Sequence, residues 1–391
     1  KMMHVKKGRK TLALLPAEFV AHAPLLDRKK TKPKYLQSIK FELKVKKILN
    51  YSELILKLLS SPNIASKHWV FQQYDHEVGI RTVVKPGFDA SVLRLDNGKF
   101  LSAKIDGNPK HCYLDPRQGA IGCFEEACRN VICTGANPVG MVDHLQFGNP
   151  EDPEVFWSFM ESIEGLADFA KFLRIPCVGG KVSFYNETTI GPIKPTPLIG
   201  VLGIIDKTLL TTIPPSFGDY LLIIGKTKDE LGGSEYYEYI HKFVGGICPT
   251  VNFKDSKINM HTVLSLIKNK LVKSVHDCSK GGAAIAISEL SIFGNIGCDI
   301  NIEKLPCEND FSIDKLLFSE SHSRYLLVID KKNINQVKQF LSRKNTTFAI
   351  LGKFSSDQIQ IKHKSKYLIK LPIDIAQRKY FGALEDLLKN G

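Results

Sequence analysis

The sequence predicts an α/β (α+β) protein built from two consecutive domains. Strand-like apolar runs alternate with stretches of helical periodicity along most of the 391 residues. The alternation starts again after Pro214-Pro215, which favours a second sheet over an extension of the first. With 43% apolar residues, the chain is long enough to bury two ordinary cores. We therefore expect one domain over 50–209 and a second over 210–391.

The first 49 residues differ from the rest in charge. Residues 1–50 hold fourteen Lys and Arg against three acids, so they carry +11 of the total +14 and leave +3 for the other 341 residues. His4–Leu15 alternates around a Lys7-Gly8 turn, like the last hairpin of a preceding domain, and a Pro-rich stretch with Ala23-Pro24 follows. We interpret 1–49 as the end of a domain that precedes this chain, plus a basic linker, rather than as a nucleic-acid-binding groove.

Composition excludes several other classes of protein. No apolar run is long enough to cross a bilayer, and no signal-peptide pattern follows the basic N-terminus. We therefore predict a cytoplasmic protein that binds neither membrane nor nucleic acid. The nine cysteines are scattered without a Cys-x-x-Cys pair, which favours buried thiols over a metal site.

In the first domain the elements follow from periodicity and turn signals. Apolar spacing predicts a helix over 48–59, and an Asp-Asn-Gly turn at 96–98 joins two predicted strands into a hairpin. Asp152 is a predicted N-cap followed by Pro153 at the first helical position. The predicted elements are strands Ala90–Leu95 and Phe100–Ile105, helix Gly119–Cys133, strand Val139–Leu145, a helix from Pro153 to about Arg174, and strands Ile175–Val178 and Leu198–Ile205.

The second domain shows the same alternation. An apolar run after Pro214-Pro215 ends at Gly225 and predicts a strand over Tyr220–Ile224. Gly281-Gly282-Ala283 predicts the start of a helix, and Tyr325–Ile329 predicts another strand. The apolar runs Val337–Leu341, Phe348–Leu351 and Ile359–Ile361 complete the pattern.

Any nucleotide-binding site in this sequence would have to use glycine loops other than the common phosphate-binding motifs. The sequence contains no Walker A motif, no G-x-G-x-x-G, no Ser-His-Asp order and no H-E-x-x-H. Three loops combine a carboxylate or glycine with polar neighbours after a predicted strand: Lys104–Pro109, Asp143–Pro150 and Gly179–Glu187. Carboxylates can hold Mg²⁺ on phosphate oxygens, and glycines let backbone N–H groups approach an anion. Each loop is also compatible with an ordinary turn.

The position of Asp143 and Gly180 makes two of these loops a candidate site. With the first strand taken to end at Val142 and the second at Val178, each residue follows a predicted strand, and the helix from Pro153 connects the two strands as a crossover. Such a crossover favours parallel strands whose C-terminal ends share one sheet edge. Ser183, three residues after Gly180, would reach the same ligand. In the alternative interpretation Asp143 only closes a turn.

The combined text of the loops resembles one known family. The segments that carry the resemblance run through most of the chain in order: YDHEVG at 74–79, IDGN at 105–108, YLDP at 113–116, FGNPE at 147–151, GKVSFYNE at 180–187, DELGGSE at 229–235, HDCSKGG at 276–282 and LFSESHSR at 317–324. They resemble the second half of the formylglycinamidine ribonucleotide synthetases (PurL), members of the PurM-like superfamily.

The resemblance implies a fold, an activity and partners. It implies a PurM-like N-terminal-type domain followed by a C-terminal-type domain, as one half of a pseudo-dimer. Such enzymes use ATP and Mg²⁺ to activate the amide of formylglycinamide ribonucleotide, and ammonia from a glutaminase displaces phosphate. The implied partners are the missing N-terminal half, the glutaminase subunit PurQ and the small subunit PurS.

The resemblance also implies residue roles. Asp143 and Gly180 correspond to ATP contacts and Ser183 to a substrate contact. The family position of Lys181 is usually an Asn that binds Mg²⁺, and an ammonium group cannot ligate a metal. The catalytic histidine is expected in the missing half, so His76, His111, His144 and His276 are interpreted as structural or surface residues. Two alternatives stay open: a non-catalytic scaffold that holds nucleotide, and a relative of thiamin-monophosphate kinase.

Overall fold

The computed structural model describes residues 1–22, 27–45, 48–206 and 212–390. Two large sheets lie within 82–205 and 220–372, with helices between the strands of each. The predicted α/β (α+β) class is therefore confirmed. The predicted boundary between residues 209 and 210 falls outside the described residues, and the domain limits stay a prediction.

The N-terminal segment begins with the expected hairpin. Strands β1 (Met2–Lys7) and β2 (Lys10–Pro16) pair in antiparallel fashion around Gly8. Two short helices follow, α1 (Ala17–Ala21) and α2 (Tyr35–Ser38), while Ala23-Pro24 of the predicted linker lies outside the described residues. Tyr35 stacks on Tyr113 with ring centroids 4.4 Å apart, so the later part of the linker packs on the first domain.

The first large sheet has six strands. The strands of this region are β3 (Thr82–Val84), β4 (Ser91–Arg94), β5 (Phe100–Asp106), β6 (Asn137–Gln146), β7 (Cys177–Ser183), β8 (Glu187–Thr188), β9 (Gly191–Pro192) and β10 (Thr196–Ile205). The sheet order is β3-β4-β5-β10-β6-β7, and β8 pairs separately with β9. Neighbouring strands are antiparallel except β6 and β7, which are parallel. The helices of this part of the chain are α3 (Tyr51–Leu59), α4 (His68–Phe71), α5 (Pro109–Leu114), α6 (Pro116–Cys133) and α7 (Pro153–Leu173).

The second large sheet has seven strands. They are β11 (Tyr220–Ile224), β12 (Ser274–Asp277), β13 (Cys298–Asn301), β14 (Tyr325–Ile329), β15 (Phe348–Phe354), β16 (Gln358–His363) and β17 (Lys366–Pro372), in the order β12-β14-β11-β15-β13-β16-β17. Only the pair β13 and β16 is parallel. The helices are α8 (Phe253–Lys268), α9 (Gly282–Gly294), α10 (Ile313–Phe318), α11 (Ile334–Arg343) and α12 (Ile373–Asn390). No helix among the described residues is long and apolar enough to span a membrane.

Helix α6 joins the two parts of the core. It begins where the Asp115 side chain accepts a hydrogen bond from the backbone N–H of Gln118 at 3.0 Å, with Pro116 in the first turn. Every residue of α6 except Arg117 and Gln118 is buried. The burial is this complete because α6 packs on β5, β10 and α7 of the first domain and also on β12 and α8 of the second.

The crossover β6–α7–β7 confirms the predicted parallel strands. Asp152 caps α7, since its carboxylate accepts a hydrogen bond from the backbone N–H of Glu154 at 2.8 Å, and Arg174 ends the helix at φ 59°. The prediction that Asp143 and Gly180 follow their strands is wrong, because both residues lie inside β6 and β7. The apolar runs end earlier than the strands do, since parallel pairing continues the backbone hydrogen bonds through the polar residues.

Helix α3 lies against a different sheet from the one expected. The sequence interpretation assigned it to the first domain, but Leu54, Ile55, Leu58 and Leu59 pack in the apolar core of the second sheet. The Ser52 hydroxyl also donates to the backbone carbonyl of Lys370 in β17, at 3.3 Å. Periodicity identifies the face that a helix buries but not the surface that covers it, which explains the error.

The β6–β7 pair approaches closely at one point. Asp143 and Gly180 are directly paired in the register of the two strands. A Cβ atom at residue 180 would overlap the Asp143 carboxylate, whereas a Cβ atom at residue 179 would lie 3.9 Å from the Val142 side chain. A side chain at residue 180 would therefore displace the Asp143 carboxylate, whereas one at residue 179 would displace nothing.

Replacing Leu58 tests the placement of α3. Leu58→Ala should lower the free energy of unfolding by about 2–5 kcal/mol, because it leaves a cavity at a fully buried position. Lys57→Ala on the exposed face is the control and should change it by less than about 0.5 kcal/mol. Urea unfolding gives both values. Amide exchange should then rise in β17, and a rise confined to β10 would contradict this packing.

Replacing the two glycines of β7 tests the close approach. Gly180→Ala should cost about 1–3 kcal/mol of stability, because the new methyl group displaces the Asp143 carboxylate. Gly179→Ala is the matched control on the adjacent residue and should be tolerated. Thermal unfolding of both variants measures the difference. Equal stabilities would show that the strand pair shifts freely at this point.

Candidate functional site

Two separate features carry polar chemistry. The first, called here the strand-edge cluster, consists of Asp143, Gly180, Lys181 and Ser183 on β6 and β7. The second, called the interdomain cleft, is a cavity of about 380 Å³ between elements of the two large sheets. The first predicted loop, at Lys104–Pro109, contributes to the cleft, whereas the loops at 143–150 and 179–187 belong to the strand-edge cluster. The structure therefore places the first loop in a different feature from the other two, although the sequence analysis grouped all three as candidate ligand loops.

Asp143 faces Gly180 across the parallel pair. The thiol of Cys177 lies 3.8 Å from the second carboxylate oxygen of Asp143. Partial burial raises the pKa of Asp143 above its usual value. The structure thus brings Asp143 and Gly180 together, as the sequence argument required. Their proposed contact with ATP stays a prediction.

Ser183 ends β7 opposite Gln146 and is tied to the neighbouring loop. The Asn186 side-chain amide donates to the Ser183 hydroxyl at 3.3 Å and to the backbone carbonyls of Ser183 and Phe147 at 2.9 and 3.0 Å. The backbone N–H of Tyr185, at φ 61°, donates to the carbonyl of Gly148 at 3.0 Å. The FGNPE and GKVSFYNE segments therefore form one fixed double loop beside the strand edge.

Lys181 does not fit a magnesium site. It lies opposite His144 in the register, on the exposed outer strand of the sheet. Its ammonium group has no lone pair to offer a metal, and Mg²⁺ prefers oxygen ligands. At this position the chain can offer positive charge to a phosphate, but not a ligand to a metal ion.

The interdomain cleft is lined by charged residues from both large sheets. Asp106 at the end of β5 and Glu126 on α6 come from the first domain, and Lys280 comes from the turn between β12 and α9 in the second. The Lys280 ammonium lies 3.4 Å from one carboxylate oxygen of each acid. Burial, and then the charge of Glu126, raises the pKa of Asp106. Burial by itself lowers the pKa of Lys280, but Asp106 and Glu126 outweigh it and raise that pKa well above its usual range.

A second ion cluster lies beside Lys280. Arg129 on α6 pairs with Glu125 on the same helix and, at 3.2 Å, with Asp277 at the end of β12. The Asn130 amide also donates to Asp277, at 3.3 Å. This cluster therefore joins α6 to the second sheet through charges that are almost completely buried.

His276 is enclosed by carboxylates. Its Nδ1 lies 2.9 Å from Asp89, which precedes β4, and its Nε2 lies 3.1 Å from Glu289 on α9. Burial lowers the pKa of His276, but the charge of Asp89 and the hydrogen bonds to both acids raise it well above the usual range. Because a carboxylate oxygen lies within hydrogen-bond distance of each ring nitrogen, the geometry favours an imidazolium that donates from both nitrogens. The donor atoms of Asp89, His276 and Asp277 lie within 4.8 Å of one another, yet an imidazolium has no lone pair for a metal.

Sequence reasoning missed this cleft. It offered the Lys104–Pro109 loop as a candidate that is also compatible with an ordinary turn, interpreted His276 as structural, and did not connect either with α6. One signal was available, since Glu125, Glu126 and Arg129 interrupt an otherwise apolar helix. Charges on a fully buried helix require partners from other elements.

The cysteines behave as predicted. Seven of the nine are buried, Cys177 and Cys307 are exposed, and none of the nine, all of which lie within the described residues, forms a disulfide. Burial raises the pKa of Cys128 and of Cys133, which keeps these thiols protonated.

Family models match both halves of the fold. The model described as AIR synthase related protein, N-terminal domain, matches residues 87–205. The model of the C-terminal domain of the same proteins matches residues 217–364. The first match contains the strand-edge cluster, and the second contains Lys280.

Curated relatives extend the match over most of the chain. A protein of Thermococcus sibiricus named phosphoribosylformylglycinamidine synthase subunit PurL is 42% identical over 359 residues, which are 92% of this chain and 49% of the relative. The PurL subunit of Methanocaldococcus jannaschii is 40% identical over 387 residues, with 96% and 52% covered. The chain thus spans about half the length of the curated relatives it matches.

Solved structures show the same fold at low identity. A Thermotoga maritima PurL in complex with FGAR superimposes with a TM-score of 0.71 at 18% identity, covering 84% of this chain and 53% of that one. A thiamine-monophosphate kinase of Stenotrophomonas maltophilia gives 0.52 at 13% identity, covering 73% and 92%. These likenesses concern the fold alone, whereas the family models and the curated relatives concern the sequence. The chain therefore belongs to the AIR synthase related protein family, with an N-terminal-type domain followed by a C-terminal-type domain.

Proposed function

We propose that this chain is the C-terminal half of an ATP-dependent C–N ligase of purine biosynthesis. The reaction converts formylglycinamide ribonucleotide, ATP and ammonia from glutamine into formylglycinamidine ribonucleotide, ADP and phosphate. The observation that carries the proposal is the 42% identity to a PurL subunit over 92% of the chain. At that identity over so long an alignment, both the domains and the loop text match one protein type.

The open edge of the first sheet supports a second half. Strand β7 is the outermost strand, with β6 as its only neighbour in the described sheet. Val178 and Val182 on β7 are 63% and 47% exposed, so this outer strand also carries uncovered apolar side chains. An exposed apolar strand edge favours pairing with another chain segment. We propose that the N-terminal half covers this edge, with PurQ and PurS as further partners of the whole enzyme.

The strand-edge cluster supplies the proposed contacts. Asp143 and the backbone of Gly180 would contact ATP, and Ser183 would contact the substrate. Lys181 would pair with phosphate oxygens, because its ammonium cannot hold a metal. Bound Mg²⁺ would neutralise phosphate charge, with its ligands supplied by the other half. The cytoplasm stays the expected compartment.

In this proposal the chain positions groups and performs little covalent chemistry. ATP transfers its terminal phosphoryl group to the amide oxygen of the substrate, and ammonia then displaces phosphate from the activated carbon. The residues of this half would hold the reactants in line and exclude water. The hydrogen-bonded double loop at Ser183–Asn186 suits that role, because its geometry is already fixed.

A non-catalytic scaffold is the second candidate. Lys181 in place of the usual Asn favours it, since it removes a metal ligand from the family pattern. The kinase alternative has weaker support, because the likeness to thiamine-monophosphate kinase has 13% identity and concerns the fold alone.

Reconstitution tests the ligase proposal. This chain alone, supplied with ATP, Mg²⁺, formylglycinamide ribonucleotide and ammonium, should form no product. Addition of a matching N-terminal half should produce ADP and formylglycinamidine ribonucleotide in equal amounts. Product from this chain alone would place the chemistry in this half. No product from the reconstituted pair, with both halves folded and associated, would favour the scaffold.

Replacing Asp143 tests the nucleotide contact. In the reconstituted enzyme, Asp143→Ala should lower kcat/KM for ATP roughly thirtyfold or more, a loss of about 2 kcal/mol in transition-state stabilisation. Asp96→Ala, on the exposed hairpin turn, is the control and should keep full activity. Unchanged kinetics in a well-folded Asp143→Ala enzyme would reduce Asp143 to a structural residue.

A further inference from the structure

We infer that Lys280 is a built-in counter-ion. Its ammonium reaches across the interdomain cleft from the second domain and holds Asp106 and Glu126 of the first domain together, so that this half folds and closes its cleft without a divalent cation. The inference goes beyond the proposed ligase function and does not rest on it. It concerns the metal requirement of this chain alone, which is measurable without substrate.

Asp106 and Glu126 lie close together in the cleft. Asp106 and Glu126 come from different elements of the first domain, and the side chain of each is only 8% exposed. Two ionised carboxylates that face each other in a closed site repel, and the repulsion is relieved either by a proton held on one acid or by a cation between them. In many proteins that cation is a metal ion with oxygen ligands.

The turn that carries Lys280 directs its side chain to the two acids. The turn between β12 and α9 places two consecutive glycines, Gly281 and Gly282, at φ 76° and 67°. The backbone N–H of Gly281 donates to the Glu320 carboxylate at 2.8 Å, which fixes the turn. Lys280 is therefore aimed into the cleft by its own backbone, and its ammonium lies 3.4 Å from both acids.

The remaining acids that line the cleft also lie against basic side chains. Among the described residues, Asp89 and Glu289 lie against His276, and Asp277 lies against Arg129. Together with Asp106 and Glu126 beside Lys280, these make five carboxylates in the cleft, each paired with a basic side chain. A divalent cation would have to displace Lys280 or remain within a few ångströms of its positive charge, and both are unfavourable.

The structure therefore disagrees with a metal-binding cleft. Mg²⁺ needs several oxygen ligands in near-octahedral geometry, and here the ammonium occupies the position between the carboxylates. Lys280 comes from the second domain while both acids come from the first, so the contact also fixes the domains together. Metal required for the proposed reaction would have to be bound elsewhere, by other ligands.

Metal dependence of the purified 391-residue chain tests the inference. The melting temperature of the wild type should be the same in EDTA and in millimolar MgCl₂. Mn²⁺, which substitutes for Mg²⁺ at oxygen sites, should show no tightly bound fraction by EPR. A saturable rise in melting temperature with MgCl₂, or a stoichiometric bound Mn²⁺, would overturn the inference.

Removing the ammonium should create the metal dependence that the wild type lacks. Lys280→Met should melt at a lower temperature in EDTA and recover with MgCl₂, because Asp106 and Glu126 then need an added cation. Lys280→Arg should stay indifferent to metal. Lys315→Met, which removes a more exposed lysine–aspartate pair, is the matched control and should also stay indifferent.

A double variant tests whether the gained metal dependence of Lys280→Met comes from Asp106. In the double variant Lys280→Met, Asp106→Asn, the gained metal dependence should disappear, because one ligand is lost. A Lys280→Met chain that is stable and indifferent to metal would overturn the inference. If Lys280→Met does not fold, the Mn²⁺ and EDTA measurements on the wild type still decide the outcome.

Discussion

The buried pair of Arg129 and Asp277 is the interaction on which the rest of the structure depends. Arg129 lies on α6, within the first domain, and Asp277 ends β12 of the second sheet. Both side chains are almost completely removed from water, so each charge needs buried partners: Arg129 has Glu125 and Asp277, and Asp277 has Arg129. Loss of one partner from such a pair typically costs about 3–5 kcal/mol. The pair thus fixes the position of α6 between the two sheets.

The polar interior and the open strand edge have different physical character. In the cleft, cations and carboxylates from both domains neutralise one another without outside help. At β7 two valines are exposed, and the outer edge of the strand, on the side away from β6, has no strand partner among the described residues. The first surface is complete within this chain, and the second is suited to binding another segment. This contrast agrees with the proposal that the chain is one half of a larger enzyme.

Two lysines place positive charge at the two polar features of this chain. Lys181 lies where the resemblance implies a metal-binding Asn, and Lys280 lies between two carboxylates that could otherwise hold a metal. In both cases fixed positive charge on a side chain stands where a metal ion or its ligand would be expected. A lysine is always present and needs no metal supply, but it cannot polarise a phosphate as strongly as Mg²⁺. This half therefore suits holding and positioning better than metal-assisted chemistry.

The sequence by itself determined the fold class, most strands and the parallel β6–β7 pair. Those features follow from local signals: apolar periodicity, the cap at Asp152, and the crossover helix that forces strand direction. It also placed Asp143 beside Gly180, because strand pairing follows from that crossover. The family resemblance, read from the loop text, was confirmed by the family models and the relatives.

Tertiary structure alone decided which surface covers α3 and which charges meet in the cleft. Amphipathic spacing shows that Leu58 is buried, but it cannot show that the second sheet buries it. Lys280 is 174 residues from Asp106 and 154 from Glu126, so nothing local links them. The strand ends near Asp143 and Ser183 were also set by pairing with a neighbour rather than by their own sequence. Local chemistry selects the elements, whereas long-range packing selects their partners, because burial and charge neutralisation act between segments that the chain order does not relate.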